Sequence, residues 1–279
     1  MAISLLSNLP AFSIRRELNV TERDAQRAME RMASGKRINH VHDDPAGLAL
    51  AASLKSKLHS IQQAQRNAMD ATSLIQVAEG GLNTMDNILS RLRELAMQAA
   101  SDTVGDTERQ LLHLEFNQLR DEVARISATT RYLGTPLLNG TQKELMFQIG
   151  TENSENDRII YNTSTVDVRP SSLGIDDISI EDRDSAVDSL AAIDNALSQV
   201  QAPRAQLGAI QSRMQSVSEF LGVYEENLTA ARGRIFDTDY AKETTEQFQA
   251  QVRQGAAIAV LAQANQQPAH VLKLLERSM

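Results

Sequence analysis

The sequence predicts a mainly α-helical fold: long antiparallel helical rods and a small β-hairpin section. Three observations predict it. Apolar residues recur at helical spacing over two long runs, residues 54–99 and 190–235. Between them, residues 132–180 change to Gly, Asn, Thr and alternating apolar positions. Both ends of the chain are apolar beyond the two runs.

Composition narrows the chemistry. The 279 residues are 42% hydrophobic, which is ample for a core, yet only 4% aromatic with no Trp. No Cys is present, which excludes disulfides, zinc thiolates and thiol nucleophiles. The net charge of −8 comes without a concentrated basic patch, so nucleic acid is not an expected partner. Neither a cleavable secretory signal nor a membrane span is visible, and a membrane is likewise not an expected partner.

Taken in order, the first twenty residues offer Leu5, Leu6, Leu9, Phe12, Ile14, Leu18 and Val20 for packing, and Pro10 suits a first helical turn. Thr21 and Asp24 have capping-box spacing and predict a fresh helix start, carried on by Ala25, Ala28, Met29 and Met32 and stopped by Gly35. Residues 38–47, INHVHDDPAG, separate that helix from the first rod. Along the rod run Leu54, Leu58, Ile61, Ala64, Ala68, Ala71, Ile75, Ala78, Leu82, Met85, Leu89, Leu92, Ala96 and Ala99. Gly80 and Gly81 are its weak point, each costing about 1 kcal/mol relative to Ala, so packing overrides them or the helix bends.

After a polar break at 101–107, Leu112, Phe116, Leu119, Val123 and Ile126 predict a helix that folds back on the rod. Leu145, Phe147 and Ile149, then Ile159 and Tyr161 across residues 151–157, predict a β-hairpin, and Pro170 to Gly174 a loop. The second rod is interrupted by Pro203, which predicts a kink or restart near Ala202. A last helix uses Phe248, Val252, Ala256, Ala259, Val260 and Ala262 and is expected to end near Pro268, before the apolar Val271, Leu272, Leu274 and Leu275.

His40, His42, Asp43 and Asp44 form the one ligand-like cluster. They read best as a helix-entry turn in which Asp caps amides, so no metal site is assigned. No P-loop, GxGxxG, GxSxG, HExxH or kinase pattern occurs, so no catalytic residue and no cofactor is expected. Two apolar ends outside the rods suggest instead that the ends pair with each other and with copies of the chain.

At this point a resemblance enters. Residues 28–47, AMERMASGKRINHVHDDPAG, resemble the start of bacterial flagellins, as does SRLRELAMQ at 90–98. In the C-terminal half, ARGRIFDTDY at 231–240 and VLAQANQQPAHVLKLL at 260–275 do the same. The likeness covers nearly everything outside residues 135–184, so the chain resembles a short flagellin without outer variable domains. The resemblance implies a secreted structural subunit of the extracellular flagellar filament, serving motility. Residues 1–42 would form the N-terminal filament-core helix and turn. Residues 43–184 would hold the first rod, returning helix and β section, packed by the second rod at 185–236, and residues 237–279 would pair with 1–42 as a terminal antiparallel coiled coil. The implied partners are further flagellin subunits, flagellar cap and hook-associated proteins, an export chaperone and the flagellin-sensing Toll-like receptor of hosts. Receptor contacts would map to Arg91, Leu95 and Glu115. A hook–filament junction protein of the same superfamily is the alternative, although the C-terminal segment is more flagellin-like. An enzymatic flagellin would need the HExxH that is missing here.

Overall fold

The computed structural model describes the backbone of residues 8–141 and 144–277, with side chains through residue 267. Its elements are α1 (Leu9–Ser34), α2 (Pro45–Ala99), α3 (Asp106–Thr129), β1 (Arg131–Tyr132), β2 (Thr135–Pro136), β3 (Leu145–Gln148), β4 (Arg158–Tyr161), α4 (Pro170–Leu173), α5 (Arg183–Phe236) and α6 (Tyr240–Arg277). They fall into two compact units, Met1–Ser56 with Asn227–Met279, and Lys57–Glu226. No described helix is long and apolar enough to cross a membrane.

In the terminal unit, α1 begins where the Asn8 side chain accepts the Ala11 amide and Pro10 takes a first-turn position that needs no amide donor. It ends at Gly35, whose φ of 68° is a left-handed cap that glycine adopts without steric cost. The helix start expected at Thr21 does not occur. Thr21 lies inside α1, buried, and its hydroxyl donates to the Glu17 carbonyl one turn back, while Asp24 pairs with Arg27 at 2.5 Å. A capping residue whose hydroxyl is satisfied by the preceding turn no longer competes with the helix.

Helices α1 and α6 pair antiparallel. The Asn8 amide donates to the Ala264 carbonyl at one end, and the Tyr240 hydroxyl to the Met32 carbonyl at the other. The inward positions are Ala11, Ile14, Leu18, Thr21, Ala25, Ala28 and Met32 on α1. On α6 they are Glu243, Gln247, Ala250, Gln254, Ala257, Leu261 and Ala264. Steps of three and four alternate on both helices, as a coiled-coil seam requires. Contrary to the expected stop near Pro268, α6 continues to Arg277, with strong helix formers on both sides of the proline to sustain it. Leu5 and Leu6 lie outside the described residues, as do the side chains of Val271, Leu272, Leu274 and Leu275.

The turn into α2 works by amide capping. Asp43 accepts from the amides of Asn39 and His40, which hold its carboxyl below the ordinary range, and Asp44 accepts from Gly47 at 2.8 Å. His40 contacts Glu30 at 3.0 Å and stacks on His42. Helix α2 therefore starts at Pro45, a first-turn proline, earlier than its apolar stripe indicates. Arg37 ties the end of α5 in, its guanidinium donating to the Ile235 carbonyl and its amide to that of Phe236.

In the other unit, the stripe predicted on the first rod is buried from Leu58 to Ala99, and Leu82, Met85, Leu89 and Leu92 are wholly enclosed. These pack in one core with Phe116 and Val123 of α3 and with Ile193, Val200, Leu207 and Met214 of α5. Helix α3 returns as expected. Arg109, itself buried, donates to the carbonyls of Ala99 and Ser101, so it closes the C-terminus of α2. Arg93 to Asp194 at 2.7 Å and Arg204 to Asp86 at 3.0 Å link α2 to α5.

Neither interruption breaks its helix. Helix α2 runs through Gly80 and Gly81: a Cβ on Gly81 would come within 2.8 Å of Leu138 and 3.0 Å of Thr130, so the chain beyond α3 packs where only glycine fits. Helix α5 passes through Pro203 without restarting, and the ring is buried on the core face. The expected hairpin forms, with Leu145 opposite Tyr161 and Phe147 opposite Ile159. The stretch expected as loop at 170–174 contains one helical turn, α4, closed by Gly174 in the left-handed region. An additional two-residue hairpin, β1–β2, turns through Leu133 and Gly134, both at positive φ.

Candidate functional site

Seams bury one stripe of each terminal helix and leave another stripe outside. On α1, Leu9, Phe12, Val20 and Met29 are exposed. On α6, Phe248 is 63% and Val252 70% exposed, followed by Ile258 and Val260. The seam's fully buried positions are Thr21, Ala25, Ala28, Glu243, Ala250 and Ala264, while its larger members, Ile14, Leu18, Met32 and Leu261, are only half-buried. This many large apolar side chains left exposed on one helix pair mark a surface that another protein covers. The spacing Phe248, Val252, Ala256, Ala259 thus predicts the helix correctly and marks its outward face.

A charged pair in the seam escaped the sequence reading. Arg31 contacts the buried carboxylate of Glu243 at 3.3 Å, next to the Thr238 hydroxyl. An apolar stripe search discards charged residues, although Glu243 begins the three–four spacing of Gln247, Ala250 and Gln254 and was readable on that ground.

In the second unit, Arg91 on α2 donates to Glu115 on α3 from Nε at 3.1 Å and from Nη2 at 2.9 Å, and to Glu94 from Nη1 at 3.0 Å. The hydrogen bonds to Glu115 and then Glu94 raise the guanidinium pKa above its ordinary value. Arg91 and Glu115 are exposed together, whereas Leu95 is fully buried. The structure therefore brings Arg91 and Glu115 together at the surface, but Leu95 points into the core and presents no surface for the receptor contact expected of it. Among the described residues no three His, Asp or Glu side chains converge on a possible metal position.

A helical unit with its own closed core, together with a helix pair that leaves Phe12, Phe248 and Val252 exposed, has the features of a structural subunit that associates with other chains. Comparison with known proteins gives the class its family. Residues 5–143 match the bacterial flagellin N-terminal helical region and residues 190–275 the bacterial flagellin C-terminal helical region. A flagellin of Halalkalibacterium halodurans is 38% identical over 96% of this chain and 98% of its own. The crystal structure of Bacillus cereus flagellin, 28% identical, superposes with a TM-score of 0.51 over 56% of this chain and 88% of that one. A putative flagellar hook-associated protein from Vibrio parahaemolyticus superposes at 0.58 over 70% of this chain and all of its own, but at 14% identity, so that likeness is one of fold alone. The chain belongs to the bacterial flagellin family. It is a structural subunit of the bacterial flagellar filament, serves motility, and is not an enzyme.

Proposed function

We propose that the chain polymerises outside the cell through the outward stripes of α1 and α6, with segments 1–42 and 237–279 as the filament core. The observation that carries this reading is the set of exposed Leu9, Phe12, Phe248 and Val252 on a pair whose own seam is already filled. Neighbouring subunits would cover those groups, at about 25 cal/mol per Å² of apolar surface removed from water. In the same reading residues 43–184 and 185–236 form the body around that core. Cap and hook-associated proteins would bind the same kind of helical end at the filament's tips, and an export chaperone would shield it before secretion. Deleting residues 260–279 should leave a soluble, largely helical monomer that does not elongate preformed filament seeds, followed by electron microscopy. Normal filaments from the truncated chain would defeat the reading.

A second role is favoured by the exposed Arg91–Glu115 pair: contact with the flagellin-sensing Toll-like receptor of hosts. Arginine held in fixed geometry at a surface is a common hot spot. Monomer should stimulate receptor-bearing cells more than intact filament, and Arg91→Ala should weaken the response roughly thirtyfold. Equal potency of variant and wild type removes the receptor role and leaves the filament role standing.

A further inference from the structure

The two units differ in charge. Residues 1–56 with 227–279 carry 14 basic and 11 acidic side chains, whereas residues 57–226 carry 14 basic and 25 acidic ones. Within the terminal unit, the start of α2 and the end of α5 enclose a groove of about 250 Å³. Its floor is Leu48, Ala51 and Phe236, and its rim carries Lys36, Lys55 and Arg232. Lys36 lies over the Phe236 ring, 5.5 Å from its centre. The lining contains no carboxylate, and none of the three cations forms an ion pair with a described residue. Three like charges around an apolar floor repel one another until an anionic, partly apolar partner enters.

The chain carries a matching segment. Residues 176–188 hold six acidic side chains against one basic residue, Arg183. Arg183 is engaged by Asp102 at 3.0 Å. Asp176, Asp177, Asp182 and Asp188 are exposed and without ion pairs among the described residues, and Val187 stands exposed beside Asp188.

We propose that the basic groove of Lys36, Lys55 and Arg232 receives the acidic segment 176–188 of a second copy, with Val187 on the apolar floor. The contact joins two different patches of the same chain, so it is heterologous: each copy offers its groove to one neighbour and its acidic segment to another, and nothing closes the series. This is the contact class an open helical polymer needs. It rests on the reading that the chain polymerises, and adds to the apolar stripes a directional, charge-selective contact that sets which end of a subunit meets which.

The test is seeded elongation of the full chain, read by light scattering across salt concentrations, with circular dichroism to establish that each variant is folded. Lys36→Glu with Lys55→Glu should slow elongation about tenfold at low salt, and so should Asp177→Lys with Asp182→Lys and Asp188→Lys. Mixing the two variants should restore alternate contacts, and the chain carrying all five substitutions should recover most of the wild-type rate, which loss of fold would not do. A photo-crosslinker at Ala52 should capture a peptide from 176–188 of another copy, identified by mass spectrometry. Wild-type elongation by either charge variant, absence of recovery in the combined chain, or a crosslink to any other segment or protein overturns the proposal. Failure of the wild type itself to elongate seeds would instead overturn the polymerisation reading on which it stands.

Discussion

The α1–α6 pair and the body formed by residues 57–226 use the same helical periodicity for opposite ends. In the body, the stripe of α2 faces inward and its larger members, Leu82, Leu89 and Leu92, are wholly enclosed with Phe116 and Ile193. In the terminal pair, the fully buried seam positions are small or polar, such as Ala25, Ala28, Thr21 and Glu243, the larger Ile14, Leu18, Met32 and Leu261 are only half-buried, and Phe12, Phe248 and Val252 stand outside. Burial of Ala contributes far less than burial of Leu or Phe, so the pair gains less from its own seam than the body does from its core, and a neighbour has more left to cover. The body is a fold that is complete in one chain. The pair is a fold whose apolar surface is completed by assembly, with the ordering entropy of its helices offset there.

Paired substitutions break this comparison most directly. Leu89→Ala should cost the monomer about 2–5 kcal/mol, because it empties a closed core. Phe248→Ser should change monomer stability by less than about 0.5 kcal/mol while preventing seeded elongation. Urea unfolding of the monomer and a seeding assay measure the two effects separately. If Phe248→Ser destabilises the monomer as much as Leu89→Ala, the outward stripe is part of the subunit's own core and the contrast is lost.

Legibility followed the same divide. The body's core could be read almost residue by residue, since Leu58 to Ala99 were spaced for one face and are found buried on it. Sequence reading failed where a local signal was outvoted. Thr21 looks like a cap but lies inside a continuous helix, and Pro203 and Pro268 look like breaks but are carried through by flanking residues. The β1–β2 turn was missed because Leu133 occupies a positive-φ position where Asn or Gly normally signals a hairpin. At the surface, spacing put Arg91 and Leu95 on one helix face with Glu115 beside them; Arg91 does reach Glu115, but Leu95 turns inward, which only packing shows.

A smaller effect sharpens how far the body's packing overrides local preference. Gly80 and Gly81 are neighbours in one helix with the same intrinsic penalty. Gly80 faces open space, and Gly81 faces Leu138 and Thr130. Gly80→Ala should therefore stabilise the chain by about 1 kcal/mol. Gly81→Ala should destabilise it by about 1–3 kcal/mol, since the added methyl group overpacks the contact. Equal shifts in denaturation midpoint for the two would mean that the helix, and not its neighbours, decides both.

The smallest effect concerns pH. Arg169 donates two hydrogen bonds to Asp167, and with the Ser172 hydroxyl holds its carboxyl at about 2, below the ordinary 3.8. Asp167 also forms the isolated bridge to Asn139, which joins the segment after β2 to the segment before α4. A carboxyl whose pKa is lower in the folded chain contributes stability that is full above its unfolded value and fades as pH falls through its folded value. The difference in unfolding free energy between wild type and Asp167→Asn should thus be constant above about pH 5, shrink between about pH 4 and 2, and level off below that. The terminal pair offers a control: Arg31→Gln disrupts the contact to Glu243 in the other unit and should leave the Asp167 difference unchanged across the same range, as expected of sites that share no partner. A difference that stays flat down to pH 2 would show that Asp167 acts through its shape in the turn and not through its charge.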